Sequence, residues 1–229
     1  MNGVPSHIVA MGGGGFSMEP DNPALDDFAL NLTGAGHPRV CFVATAAGDD
    51  NGYIDSFYAA FPDDRARATH LSLFKRQRGD LRARLLENDL IYIGGGSTAN
   101  LLALWRLHGF DDMIREAWTS GVILAGVSAG ACCLFEACLT DSFGPALAPL
   151  NDGLGLLEGS FCPHYDGEAR RRPRYRQVVG EGLVGGYAVE DGAALHFEGT
   201  ALSSVVRSRP EANAFRVEKY NGKVREERL

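Results

Sequence analysis

The chain has 229 residues, 29 of them glycine, and a formal net charge of −7. That length suits a single α/β domain spanning residues 1–229, and the ordinary apolar and charged fractions, 45% and 22%, exclude a disordered chain. The acidic balance gives no electrostatic footprint for nucleic acid, and no run of about 18 apolar residues is present to cross a membrane. The first residues, Met1 to His7, carry no basic segment and no long apolar segment, so no leader is expected and the expected location is cytoplasmic. Five cysteines without CxxC spacing (Cys41, Cys132, Cys133, Cys138 and Cys162) read as reduced, buried thiols rather than a disulfide or zinc framework.

In chain order, His7–Met11 is an apolar strand that runs into four glycines, 12–15. A helix is predicted over Asn22–Leu32, a strand over Arg39–Thr45, a helix over Ile54–Phe61, a strand over Thr69–Phe74 and a charged helix over Asp80–Glu87. Asp89–Ile93 is a strand that enters Gly94-Gly95-Gly96. Amphipathic helices follow at Thr98–Leu107 and Asp111–Thr119, then a strand at Val122–Val127 and a helix over Ala129–Ala137. Continuous apolar strands alternating with helices predict a mostly parallel sheet covered on both faces. The last third differs. An Arg-rich helix near Arg170–Val179 precedes short strands at Tyr187–Val189, Ala193–Phe197 and Ala201–Val206. A hairpin of Phe215–Tyr220 and Lys223–Glu227 then turns at Asn221-Gly222, so antiparallel strands close the chain.

The sharpest chemical signal is Gly126-Val127-Ser128-Ala129-Gly130. It matches G-x-S-x-G and lies after an apolar strand and before a predicted helix, where a nucleophile elbow must lie. Ser128 is therefore the candidate nucleophile, and it needs a base. Of the six histidines, His164 is preferred. It opens the loop Pro163-His164-Tyr165-Asp166 after an apolar strand, at the kind of sheet edge where sites form. The candidate acids are Glu190 and Asp191, side by side before Gly192, with Asp191 preferred. The amide of Ala129 is one oxyanion donor by elbow geometry, and Gly95 or Gly96 supplies the second. Gly94–Gly96 is followed by Ser97-Thr98 without lysine, which disfavours a phosphate loop. Gly12–Gly15 fails the dinucleotide fingerprint and is expected at the pocket rim. No HExxH or clustered ligand pattern is found, so no cofactor or metal is expected.

Taken in order, GVSAG, IGGGSTANLL, CPHYD and VEDGAAL resemble the peptidase E family of serine peptidases, which includes cyanophycinase-type enzymes and shares the class I glutamine amidotransferase-like fold. The resemblance covers roughly His7 to Phe197. It implies a triad in the order Ser128, His164, Asp191 (with Glu190 as the other acid) and an oxyanion hole from Ala129 with Gly95 or Gly96. The amidotransferase relatives place cysteine at the elbow, so Ser128 argues against glutaminase chemistry. Peptidase E removes N-terminal aspartate from dipeptides, a preference tied to an arginine in an R-x-x-R stretch after the histidine. Arg171 is the matching residue and the candidate carboxylate clamp, and Tyr165 is a further candidate substrate contact. The expected partner is a short peptide, with the chain a monomer or homodimer. An esterase built on the same triad, or a catalytically silent ligand-binding member, are the alternatives.

Overall fold

The computed structural model describes residues 6–75 and 79–229; of the stretch Met1 to His7, on which no leader is expected, residues 1–5 lie outside them. In chain order the first half contains β1 (His7–Met11), α1 (Ala24–Asn31), β2 (Arg39–Val43), α2 (Asn51–Ala60), β3 (Arg67–Leu71), α3 (Leu81–Leu86) and β4 (Leu90–Ile93). It continues through α4 (Thr98–His108), α5 (Phe110–Thr119), β5 (Ile123–Val127) and α6 (Ala129–Cys132). The second half contains β6 (Phe135–Thr140), β7 (Ala148–Leu150), β8 (Leu157–Cys162), α7 (Arg171–Glu181), β9 (Gly186–Val189), β10 (Ala193–Glu198), β11 (Ala201–Arg207), β12 (Ala214–Tyr220) and β13 (Lys223–Arg228).

Seven strands form one sheet in the order β11-β10-β1-β5-β4-β2-β3. Its members β1, β5, β4, β2 and the edge strand β3 are mutually parallel, and β10 and β11 add antiparallel at the other edge. Alternate residues of these strands point to opposite faces, as the strand period of two requires. Ile8, Ala10, Cys41, Val43, Ile91, Ile93 and Leu124 meet Leu101, Trp105, Phe110 and Ile114 of α4 and α5 on one face. Val9, Met11, Phe42, Tyr92 and Ala125 meet Leu25, Ile54 and Phe57 of α1 and α2 on the other. Both faces are buried, which is why these strands read as unbroken apolar runs. The expected mixed α/β fold, mostly parallel with helices on both faces, is the observed one.

The helix starts have local causes. The Asp50 side chain accepts the Tyr53 amide (2.9 Å), Asp80 accepts that of Ala83 (3.2 Å) and Ser97 accepts that of Asn100 (3.3 Å), each capping the helix that follows. The five cysteines are free thiols, all buried.

Two expectations are corrected. The helix predicted over Ala129–Ala137 stops at Cys132, and β6 begins three residues later. The run ACCLFEACL is buried except at Glu136, so periodicity cannot separate helix from strand there; pairing with β7 and β8 decides it. The C-terminal strands are also more than an antiparallel extension. A second sheet of six strands, ordered β13-β12-β9-β8-β6-β7, contains a parallel trio β6, β8 and β9. α7 packs against it through Tyr175, Val178 and Val179.

Candidate active site

The three glycine clusters each follow a central strand of the first sheet at its carboxyl end. Gly12 and Gly13 follow β1, Gly94–Gly96 follow β4, and Gly126 with Gly130 flank the end of β5. The second sheet contributes two loops to the same place, because His164 follows β8 and Asp191 lies between β9 and β10. The site is therefore built at the junction of the sheets.

At the end of β5 the backbone turns sharply. The Ser128 amide donates to the Met11 carbonyl (3.0 Å), and the residue then takes φ 53 and ψ −113, a disfavoured region for a residue with a Cβ. The turn requires its glycines. A Cβ on Gly126 would overlap the Gly130 carbonyl, and one on Gly130 would overlap the Ile93 carbonyl of β4. The Ser128 hydroxyl is 2.9 Å from His164 Nε2, and His164 Nδ1 is 2.6 Å from Asp191 Oδ1. A carboxylate only accepts, so Nδ1 carries the proton and Nε2 is left to accept from the serine.

Asp191 is held from several sides. Its amide donates to Asp166 Oδ1 (2.9 Å), and its carbonyl accepts from the Arg209 guanidinium. Arg209 is in turn ion-paired with Glu19 at 3.2 Å, and the Ser208 hydroxyl donates to Glu19 Oε2 (2.6 Å). The loop after β1 presses directly on the His–Asp pair: the His164 amide donates to the Gly12 carbonyl (3.2 Å), and that of Gly192 to the Gly13 carbonyl (3.0 Å). A Cβ on Gly13 would overlap Asp191 Oδ1 and stand 2.8 Å from His164 Nδ1. So Gly12 and Gly13 back the pair rather than merely edging the pocket. Gly13→Ala is expected to separate His164 from Asp191. A fall in kcat of about 10²-fold or more, with KM less affected, would be the kinetic signature, since misplacement of catalytic groups by about 1 Å carries penalties of this order.

A pocket of about 400 Å³ opens over Ser128 and His164, lined also by Ser17, Met18, Ala47, Tyr53, Gly95 and Gly96 among others. Gly95 abuts the serine, since a Cβ built on it would lie 3.4 Å from the Ser128 Cβ. The Ala129 amide heads the first turn of α6, where an N–H has no partner within the helix.

The structure thus brings together Ser128, His164, Asp191, Ala129, Gly95 and Gly96. It places the other three candidates elsewhere. Glu190 turns away from His164, and its Oε2 accepts from the Asn213 amide (2.8 Å) and side chain (2.9 Å). The Tyr165 ring is buried beside Tyr175 and Phe215, with its hydroxyl donating to Glu226 (2.6 Å). Arg171 is 3% exposed, contributes nothing to the pocket lining, and is ion-paired with Glu168 at 2.9 Å while donating to the Leu139 carbonyl (3.3 Å). The R-x-x-R stretch lies on α7, whose packing on the second sheet turns this arginine inward. Tyr53, Ser17 and Met18 escape sequence reasoning because they belong to no motif; only the folded chain sets them beside Ser128. Among the described residues, one cluster has metal-ligand spacing, His7, His196 and Glu198, with ligand atoms within 4.8 Å. It lies at the amino end of β1, the opposite sheet edge from Ser128.

The sequence model of Peptidase family S51 matches residues 8–205. An uncharacterized peptidase, YgaJ, of Bacillus subtilis (strain 168) is 54% identical over 211 residues, which cover 92% of this chain and 91% of that protein. A peptidase E of Streptomyces coelicolor is 28% identical over 190 residues, or 78% of this chain and 74% of that one. The crystal structure of a peptidase from an acI-B1 Actinobacterium superposes with a TM-score of 0.70 at 20% identity, covering 98% of this chain and 94% of the other. No helix of the described residues is long and apolar enough to cross a membrane.

Proposed function

The chain belongs to peptidase family S51 and is a peptidase, and from that premise we propose that it hydrolyses short peptides by acyl transfer to Ser128. The observation that carries this reading is the unbroken relay from Asp191 through His164 to Ser128, with contacts of 2.6 and 2.9 Å, opening onto one pocket. As Ser128 Oγ attacks the scissile carbonyl carbon, its proton passes to His164 Nε2. The C–N bond then breaks and the same proton goes to the leaving amine. Water repeats the sequence on the acyl-enzyme, releasing the acid and restoring the serine. Asp191 holds the Nδ1–H tautomer and offsets the charge of the transient imidazolium. The Ala129 amide donates to the oxyanion.

Selectivity for N-terminal aspartate needs a cation facing the substrate side chain. Arg171 is not that cation, since Glu168 and the Leu139 carbonyl occupy it outside the pocket. A panel of dipeptides with N-terminal Asp, Glu, Asn, Leu or Arg tests both points. Turnover of at least some members is expected, and Arg171→Gln is expected to change the Asp-to-Asn ratio of kcat/KM by less than about threefold. Silence across the panel and longer peptides would count against a peptidase of this kind. A preference for aspartate that collapses in Arg171→Gln would restore Arg171 as the clamp.

A further inference from the structure

Tyr53, the third residue of α2, belongs to none of the motifs, yet its side chain lines the same pocket as Ser128 and His164. Its ring is fixed by two aromatic neighbours, Phe42 edge-on at 5.0 Å and Phe16 at 5.6 Å. Gly94 makes room for it, since a Cβ there would stand 2.9 Å from Tyr53 Cε1 and 3.0 Å from the Phe42 ring. One glycine of the cluster after β4 is therefore required by this tyrosine.

The adjoining glycine determines what the hydroxyl does. The Gly95 N–H donates to the Tyr53 oxygen at 3.2 Å. The phenol is the acceptor in that bond, so its own proton is left to be donated. Gly95 is also the residue that abuts the nucleophile, a Cβ on it falling 3.9 Å from Ser128 Oγ. A hydroxyl bonded to the Gly95 amide thus sits on the wall of the pocket beside the serine. Burial raises the phenol pKa, against a smaller opposing contribution from the Gly95 amide, so the proton is retained at neutral pH. Ser17 is the other polar neighbour; its hydroxyl donates to the Gly14 carbonyl (3.3 Å), so toward the phenol its oxygen can only accept, and a charged oxyanion is the stronger acceptor for the same proton.

We propose that the Tyr53 hydroxyl is a catalytic oxyanion donor that works with the Ala129 amide, the Gly95 N–H acting through the phenol rather than on the substrate directly. The proposal rests on the acyl-transfer reading of Ser128. As the carbonyl carbon becomes tetrahedral, charge gathers on its oxygen, and the phenol O–H hydrogen-bonds to it without giving up the proton. The Gly95 N–H on the phenol oxygen polarises that O–H and makes it a better donor. The sequence expectation that Gly95 donates directly changes accordingly, because its N–H already has an acceptor. A competing role is a plug, with the phenol merely covering an amide that the substrate later uses. The two roles predict opposite effects of the same substitution.

Tyr53→Phe keeps the ring and removes only the hydroxyl. The expected result is a kcat lower by about 10²- to 10³-fold, the range for losing one oxyanion donor, with KM within about threefold and an unchanged melting temperature. Inhibition by a peptide boronate, whose tetrahedral adduct on serine carries the oxyanion, is expected to weaken by a similar factor. Binding of an uncleaved peptide to Ser128→Ala is expected to be unchanged when Tyr53→Phe is added to it. A Tyr53→Phe enzyme with kcat within about threefold of the parent, or above it, overturns the proposal and supports the plug. Failure of the underlying reading looks different. The parent itself would then neither turn over peptides nor react with a fluorophosphonate at Ser128.

Discussion

Replacing Ser128 by alanine is expected to lower peptide turnover by roughly 10³-fold or more while leaving the fold intact. The size of the loss follows from the roles in the relay. Without the serine oxygen no acyl-enzyme forms, so the proton transfers of His164 to the leaving amine and from water have no intermediate to act on, and the three residues fail together. Rate above the uncatalysed level would come only from binding and from the oxyanion donors. The fold is spared because alanine retains the Cβ, and the hydroxyl's bond is to His164 Nε2, at 2.9 Å. The backbone at φ 53 is held from outside the side chain by the Met11 carbonyl and the Gly126–Gly130 approach. Steady-state kinetics on the best dipeptide, with a thermal melt of the same preparation, measures both parts. A variant with near-parental kcat would remove Ser128 from the mechanism.

The adjacent acids are expected to separate just as sharply. Asp191→Asn replaces an acceptor with a group that can donate toward His164 Nδ1, favouring the tautomer whose Nε2 carries the proton and cannot accept one from serine. A drop in kcat of about 10⁴-fold is the order such a change produces. Glu190→Gln keeps an oxygen that can accept from Asn213, so kcat is expected to stay within a few-fold. Its cost falls on stability, since Glu190 is buried and its carboxylate ties the loop before β10 to the residue preceding β12. Equal kinetic losses in the two variants would contradict the assignment of Asp191 as the acid partner of His164.

Much of this architecture is legible in the residues alone, for a physical reason. Parallel strands buried on both faces announce themselves as apolar runs, and a sharp strand-to-helix turn demands small residues at Gly126 and Gly130. The loop Pro163-His164 and the pair Glu190-Asp191 are also visible as polar residues at strand ends. The choice between Glu190 and Asp191 is not, because neighbouring residues leaving a strand point to opposite sides. Which side holds His164 depends on how β8 and β9 of the second sheet meet β1 of the first. β6 is hidden because its apolar run would be buried as helix or as strand. Arg171 misleads because a basic helix face reads as open to substrate until α7 is docked, after which Glu168 takes up its charge. Tyr53 has no local signature, and its meaning comes from a contact 42 residues away, with Gly95.

The most direct test of the central claim is covalent labelling of the folded parent protein with a fluorophosphonate, read by intact mass and peptide mapping. One adduct per chain, located on Ser128 and absent from Ser128→Ala, is the expected result. A protein that cleaves peptides yet gives no adduct, or carries it on a residue other than Ser128, would contradict the account.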